Sequence, residues 1–283
     1  MNTTQKLSRA IFLFALCSIL IAPFSNLHAQ TKRAMEIEDL FRIKRVSDPQ
    51  ISPDGKWIAY VVASVNKEAN NSNSDIWLIP SSGGDARQLT FSPKADNNPR
   101  WSPDGKRIAF IRQPGAGGKP DSVLRQKHNP WSVAVGQVSD GSVQVIWKAP
   151  VTLRGSLPTT HGGTNLHWAD GRIVFLSYAD GWPHLYSIRP EGGIAELLTP
   201  GNFMAEHIRM SPDKKQMIFS ANTGNDPLDI DRRHVVAVPV DKPGIKVLLP
   251  AVGTAVPEAG AAGKVFVLLR NNTYPSAALL PWL

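Results

Sequence analysis

The chain has 283 residues, of which 42% are hydrophobic and 19% are charged, and its formal net charge at pH 7 is +8. This length is sufficient to bury a hydrophobic core without disulfide bonds, and the single cysteine excludes zinc sites built from several cysteines. The positive charge is scattered and forms no dense Lys/Arg block, which argues against nucleic-acid binding.

Residues 1–29 are predicted to be a cleaved secretory signal peptide. Lys6 and Arg9 supply the positive start, residues 10–22 form an apolar run, and residues 27–29 offer a cleavage site. The run is too short to span a bilayer comfortably, so an uncleaved membrane anchor is the alternative. Cleavage would give a periplasmic or secreted chain without a membrane span. It would also remove the only cysteine and leave 29 Lys and Arg against 23 acidic residues.

A short leader follows over residues 30–45. Its apolar side chains at Ile37, Leu40, Phe41 and Ile43 have the spacing of one helical face. We therefore expect a short helix in the leader, packed on the outside of the domain that follows.

The rest of the chain is dominated by a repeat. The tetrad Ser52-Pro53-Asp54-Gly55 returns as Ser102-Pro103-Asp104-Gly105, and in weaker form as Trp168-Ala169-Asp170-Gly171 and Ser211-Pro212-Asp213-Lys214. An apolar run follows each tetrad. A tight turn that leads into an apolar strand, at intervals of roughly 40 to 65 residues, is typical of β-propeller blades.

The residues of the tetrad suit a tight turn. Ser opens the turn, Pro presets φ at the second position, Asp bonds back to the backbone, and Gly accepts a positive φ. Metal binding by the aspartates is the alternative interpretation. We interpret the following residues as structural turn residues: Asp54, Gly55, Asp104, Gly105, Asp170, Gly171 and Asp213.

The repeat divides residues 46–283 into about four and a half blades. The fold class is therefore all-β, a propeller of TolB- or WD40-like repeats. An unclosed sheet edge and an apolar tail over residues 277–283 are unusual for a free domain, so we expect an incomplete propeller. A small five-bladed propeller is the alternative. The predicted blades cover residues 46–90, 98–149, 165–199, 207–249 and, in part, 256–283.

No motif supplies a self-sufficient active site. The sequence has no Gly-x-Ser-x-Gly nucleophile elbow, no phosphate-binding glycine loop after a strand and no His-Glu-x-x-His. The histidines after the signal are isolated, which favours ordinary loop and strand-end positions over zinc ligation. We therefore predict no catalytic residue, no metal and no cofactor. An enzyme with a site in the central channel would need polar residues from several blades, which the sequence does not reveal.

Two loops are candidates for ligand contact. One places Trp182 at a tip between two strands, and the other carries Arg232 and Arg233. The two guanidinium groups could hold a peptide carboxylate or an acidic loop of a protein partner. The alternatives are packing of Trp182 against the neighbouring blade and an internal salt-bridge cluster of the arginines with Asp229 and Asp231.

The leader and first repeat, residues 38–60, resemble the opening of exported members of the prolyl oligopeptidase (S9) family, especially its acylaminoacyl-peptidase and dipeptidyl-peptidase branches. Residues 229–234 also resemble part of their propellers. In that family a seven- or eight-bladed propeller caps an α/β-hydrolase domain with a Ser-Asp-His triad and restricts access to small or unfolded peptides. The resemblance implies a propeller that gates and positions peptides for a hydrolase domain absent from this chain.

Two features limit this resemblance. Dipeptidyl-peptidase relatives hold the amino end of the substrate with adjacent glutamates, and this chain has no Glu-Glu pair. TolB-type propellers share the Ser-Pro-Asp-Gly repeat, so a free-standing periplasmic propeller that binds a protein partner is the alternative function. TolB carries an α/β domain ahead of its propeller, whereas only about a dozen residues separate the predicted signal from the first blade.

Overall fold

The structure is a computed structural model. It describes residues 33–117, 124, 126–160, 162–223 and 233–249 in full, and the backbone of three later strands. The predicted signal peptide lies outside the described residues, as do His161, Asp229, Asp231 and Arg232. No helix of the described part is long and apolar enough to cross a membrane.

The helix predicted in the leader is present as α1, Ile37–Arg42, and none of its side chains is buried. Its first turn is closed by Asp39, whose carboxylate accepts a hydrogen bond of 3.0 Å from the backbone N–H of Glu36. An acidic side chain that reaches back to the residue before the helix satisfies a donor that has no intrahelical partner. Arg33 holds the same carboxylate through both Nη atoms.

The first two sheets are antiparallel, and their strands pair mostly in chain order. The strands of the first sheet are β1 Arg45–Ile51, β2 Trp57–Asn66, β3 Asn71–Pro80 and β4 Arg87–Gln88, and β7 Ala116–Gly117 adds to β3. The strands of the second sheet are β5 Ala95–Trp101, β6 Arg107–Gln113, β8 Ser132–Gln137 and β9 Val143–Lys148.

The next three sheets repeat this antiparallel order, and the all-β class is confirmed. The third sheet consists of β10 His167–Trp168, β11 Ile173–Ser177, β12 His184–Ile188 and β13 Glu196–Leu197. The fourth consists of β14 Ala205–Met210, β15 Gln216–Ala221, β16 His234–Pro239 and β17 Lys246–Leu249. The fifth is described with three strands, β18 Thr254–Ala259, β19 Val265–Arg270 and β20 Pro275–Leu280. We call the five sheets blades 1 to 5.

The hydrophobic core lies between the blades. On β6, Ile108 and Phe110 belong to the cluster shared with blade 1, whereas Ala109 and Ile111 belong to the cluster shared with blade 3. Side chains alternate between the two faces of a strand, so a strand with neighbours on both faces is apolar throughout. The same arrangement recurs on β11, where Ile173 and Phe175 face blade 2 while Val174 and Leu176 face blade 4.

The turns between the first and second strands repeat one hydrogen-bond pattern. In blade 2, Ser102 Oγ donates to Asp104 Oδ1 over 2.6 Å, and the same oxygen accepts from Lys106 N over 3.1 Å. Ser102 Oγ also accepts from Arg107 N over 2.9 Å. Blades 1 and 4 show the same three bonds, with lengths within 0.1 Å of these.

The last position of the turn has a positive φ in blades 1, 2 and 4. Gly55 and Gly105 have φ of 72° and 69°, and Lys214 adopts 61° at the equivalent place. The turn of blade 3 is two residues shorter, because Ala169 N already bonds to Arg172 O. Ala169 therefore occupies the position of the serine, and Trp168 is the counterpart of Trp101.

We expect Asp104→Ala to lower the free energy of unfolding by about 1 kcal/mol, because the Ser102 hydroxyl and the Lys106 N–H lose their acceptor. The short turn of blade 3 offers a matched control. The side chain of Asp170 is exposed and makes no described hydrogen bond, so Asp170→Ala should leave stability unchanged within about 0.5 kcal/mol. Urea unfolding of both variants measures the difference. Equal losses would contradict the assignment of the stabilising bonds to Asp104.

Candidate functional site

The first strands of blades 1, 2 and 4 carry a bulge at the same place. The ladder to the second strand slips by one residue in blades 1, 2 and 4. A residue with a positive φ stands at this place in each of four blades. These residues are Asp48 at 47°, Asn98 at 57°, Asn165 at 43° and His207 at 51°. Asn, Asp and His are enriched among the non-glycine residues that adopt this conformation.

Two residues after each bulge stands a polar side chain: Gln50, Arg100, His167 and Arg209. We call these four residues the inner row. All four are partly buried, and each pairs with the same ladder position on the second strand of its blade. The strands that carry them neighbour one another, since β5 contacts both β1 and β10. In a propeller, blades surround a central channel, and we assign the inner row to its wall.

Arg100 connects three blades. Its Nη1 lies 3.0 Å from Asp48 Oδ2 in blade 1 and donates to Pro99 O in blade 2 over 2.7 Å. Its Nε donates to Leu166 O, just before β10, over 3.2 Å. A guanidinium has five N–H groups, and the two on Nη2 make no described hydrogen bond. Arg100 is therefore held firmly while part of its donor capacity stays available.

His167 is, like Gln50, an uncharged member of the inner row. Burial lowers its pKa to about 4, and the positive charges of Arg100 and Arg209 act in the same direction. The imidazole is therefore uncharged at neutral pH and can both accept and donate a hydrogen bond. Asp48 is the carboxylate that pairs with Arg100 in this row. The row thus contains two guanidinium groups and a neutral imidazole, and the Nη2 donors of Arg100 are of the kind that bind peptide carbonyl oxygens and carboxylates.

The residues predicted as ligand contacts lie elsewhere. Trp182 is partly buried in the loop between β11 and β12. Arg233 directs its Nε at Glu206 Oε2 over 2.5 Å, and its Nη2 lies 3.8 Å from Met204 Sδ. Arg233 is thus engaged by blade 4 itself, through a carboxylate different from the two considered in its loop. Arg232 lies outside the described residues.

A His–Asp pair in blade 3 has the composition of a catalytic dyad but no access. His184 Nδ1 lies 2.6 Å from Asp180 Oδ2, and the imidazole has no solvent exposure. Its Nε2 has no hydrogen-bond partner, and Phe203 covers the ring at a centroid distance of 5.2 Å. A general base must reach the proton that it removes. This pair is therefore structural. Among the described residues no group of three or more His, Cys, Asp or Glu could hold a metal ion.

The sequence contains a spacing from which the inner row could have been identified. Each of its members stands two residues before the position of the turn serine, which is Ser52, Ser102, Ala169 or Ser211. An alignment of the four tetrads conceals this spacing in blade 3. It places Trp168 at the position of the serine, and the residue two positions earlier is then Leu166 instead of His167. The shorter turn, which only the ladder shows, restores the register.

Comparison with known proteins gives partial matches. No family model matches the chain. Over 80 residues it is 40% identical to the uncharacterized peptidase YuxL of Bacillus subtilis, a stretch that covers 28% of this chain and 12% of YuxL. Over 73 residues it is 33% identical to dipeptidyl-peptidase 5 of Porphyromonas gingivalis, covering 26% of this chain and 11% of that protein. The chain thus spans about a tenth of the length of these relatives.

A solved structure supports the architecture. The β-propeller domain of the Trilobed protease from Pyrococcus furiosus aligns with a TM-score of 0.54 and 14% identity, over 84% of this chain and 68% of that one. The chain resembles the N-terminal propeller region of S9 peptidases. The predicted propeller fold and the predicted resemblance are both confirmed. At this identity the solved structure shows the fold alone, so the function depends on the shorter sequence matches.

The pKa of His167 predicts a pH dependence of stability. The folded pKa of about 4 lies below the ordinary value of 6.5, so the unfolded chain binds one more proton between these two pH values. Stability is fully present above pH 6.5 and falls as the pH drops towards 4, by up to about 1.4 kcal/mol per pH unit. His167→Asn should remove this one-proton contribution, so the free energy of unfolding of the variant should depend less on pH between 4 and 6.5. Urea unfolding between pH 4 and 7.5 measures it, and parallel profiles of the two proteins would contradict the assignment.

Proposed function

We propose that this chain is a propeller that gates and positions peptide substrates for an S9-type serine hydrolase domain. The observation that carries the proposal is the 40% identity to a peptidase over 80 residues, supported by the 33% identity to a dipeptidyl-peptidase. The sequence contains no Gly-x-Ser-x-Gly, so the nucleophile would come from a hydrolase domain outside these 283 residues.

The inner row supports a role in peptide contact. A peptide that passes along the central channel presents carbonyl oxygens and, at one end, a carboxylate. Arg100 and Arg209 carry N–H donors of the kind that bind these groups, and His167 adds a neutral partner. None of the three is a nucleophile of the serine-peptidase type. The row therefore suits orientation of a peptide and not its hydrolysis.

The proposed location follows from the predicted signal peptide. Export would place the propeller in the periplasm or outside the cell, where it would meet extracellular peptides. The proposed partners are thus peptides and a hydrolase domain, without a cofactor. The alternative function is that of a free-standing TolB-like propeller that binds a protein. The next experiment distinguishes between the two functions.

We expect an antibody raised against this propeller to detect, in the source cells, a band that also reacts with a fluorophosphonate probe. The band should exceed the present chain by on the order of 200 to 250 residues, the size of one further domain. An unlabelled band at the size of the mature chain would contradict the proposal and favour a propeller that acts by binding alone.

The purified chain gives the complementary control. We expect it to hydrolyse neither acylated nor free peptides, because no residue pattern for a serine nucleophile is present. Turnover that a fluorophosphonate abolishes would overturn the assignment of the chemistry to a separate domain.

A further inference from the structure

A cleft on blade 2 is separate from the inner row. It has a volume of about 410 Å³ and is formed by the segment before β5, the end of β6, the residues before β8, and β9 with the residues after it. This volume is in the range of small-molecule sites. Among the residues that the structure describes, no Asp or Glu lines the cleft, whereas Lys94, Arg112 and Lys148 do. The cleft is therefore positively charged.

Two buried nitrogens of the cleft have no hydrogen-bond partner. Trp131 is only 3% exposed, and its indole Nε1 donates to no group in the described structure. The Nε2 atom of His128, in the loop before β8, is also buried and unpartnered. Both residues line the cleft. A buried N–H without an acceptor is destabilising, so such a group in a cleft indicates where an acceptor atom of a ligand would be stabilised.

The lysines supply the available charge. Arg112 is already neutralised, since its Nε and Nη2 lie 2.7 and 2.8 Å from the two oxygens of the fully buried Asp96. Lys94 and Lys148 are exposed, and neither ammonium group pairs with a carboxylate of the described residues. Two unpaired ammonium groups in the same cleft as a residue with an unpartnered indole N–H favour a ligand with negatively charged acceptor oxygens.

The wall of the cleft is apolar and rigid. Pro93, Pro130 and Val145 line it together with Trp131. The Trp131 ring is held by Trp147 and by the edge of Phe175, at centroid distances of 4.8 and 5.9 Å. Aromatic contacts of this kind fix the ring in place. A bound molecule would therefore meet a preformed apolar surface next to the positive charge.

We propose that this cleft binds a carboxylate that carries a neighbouring apolar or aromatic group. The carboxylate lies between Lys94 and Lys148 and accepts the Trp131 N–H, while the apolar group covers the proline and valine wall. A peptide with an apolar last residue and a free organic acid share this chemistry. The site does not depend on the proposed peptidase role.

Calorimetric titration of the full chain tests the site with three probes: N-acetylphenylalanine, its amide, and the tripeptide Ala-Ala-Phe with a free C-terminus. We expect the two acids to bind and the amide to bind at least tenfold more weakly, because it lacks the charge. Stronger binding of the tripeptide than of the free acid would identify a peptide end as the source, and equal binding would identify the carboxylate and ring alone as sufficient.

Variants locate the binding. Lys94→Gln and Lys148→Gln should each weaken binding of the acids about tenfold, and Trp131→Phe, which keeps a ring but removes the N–H, about fivefold. Lys242→Gln removes an exposed lysine outside the cleft and should leave binding unchanged. Unfolding midpoints of all variants verify that they fold. Absence of binding by both acids, equal binding of acid and amide, or unchanged binding by the Lys94 and Lys148 variants would overturn the proposal.

Discussion

The structure depends on the packing of one blade against the next. A middle strand such as β6 sends Phe110 to one neighbour and Ile111 to the other, so blade 2 buries both faces. A single sheet of this size has no core of its own, and stability comes from the interfaces between consecutive blades. The contiguous apolar clusters from blade 1 to blade 4 are the result, with the aromatic group around Trp131, Trp147 and Phe175 at the junction of blades 2 and 3.

This packing limits the positions at which polar side chains can lie. In blades 2 to 4 the second and third strands are buried on both faces along most of their length, so the polar groups of the inner row and of the cleft lie on first strands or near strand ends. The inner row uses the first strands, and the cleft uses strand ends. Arg100 belongs to both the binding surface and the scaffold, because its bonds to Asp48 and to Leu166 O join blades 1, 2 and 3. The geometry of the row is therefore tied to the register of the blades.

Much of the fold could be predicted from the sequence because its signals are local. The Ser-Pro-Asp-Gly turn forms its bonds within six residues, so the tetrads of blades 1 and 2 mark their strands directly. The register of blade 3 is different, because it depends on a turn two residues shorter that only the pairing of Trp168 with Ile173 shows. That difference concealed His167 and with it the inner row.

The remaining features are non-local. Arg233 pairs with Glu206, which is 27 residues away, and no local spacing in the sequence indicates this contact. The cleft joins Lys94, Trp131 and Lys148 from three separate segments, and no spacing rule brings such residues together. Interactions of this kind depend on how the strands pack in three dimensions. A sequence repeat predicts the strands but not the contacts between distant segments.

The proposed role of the inner row requires binding without a catalytic group. The Nε and Nη1 atoms of Arg100 donate hydrogen bonds to the backbone carbonyl groups of Leu166 and Pro99, whereas Nη2 makes no described hydrogen bond. The guanidinium group is therefore oriented before a ligand binds. A donor fixed in this way loses little conformational entropy on binding. The neutral His167 beside it avoids the repulsion that a third positive charge would create. A preformed, partly buried arginine next to an uncharged imidazole is suited to hold a peptide in a defined direction while another domain carries out the reaction.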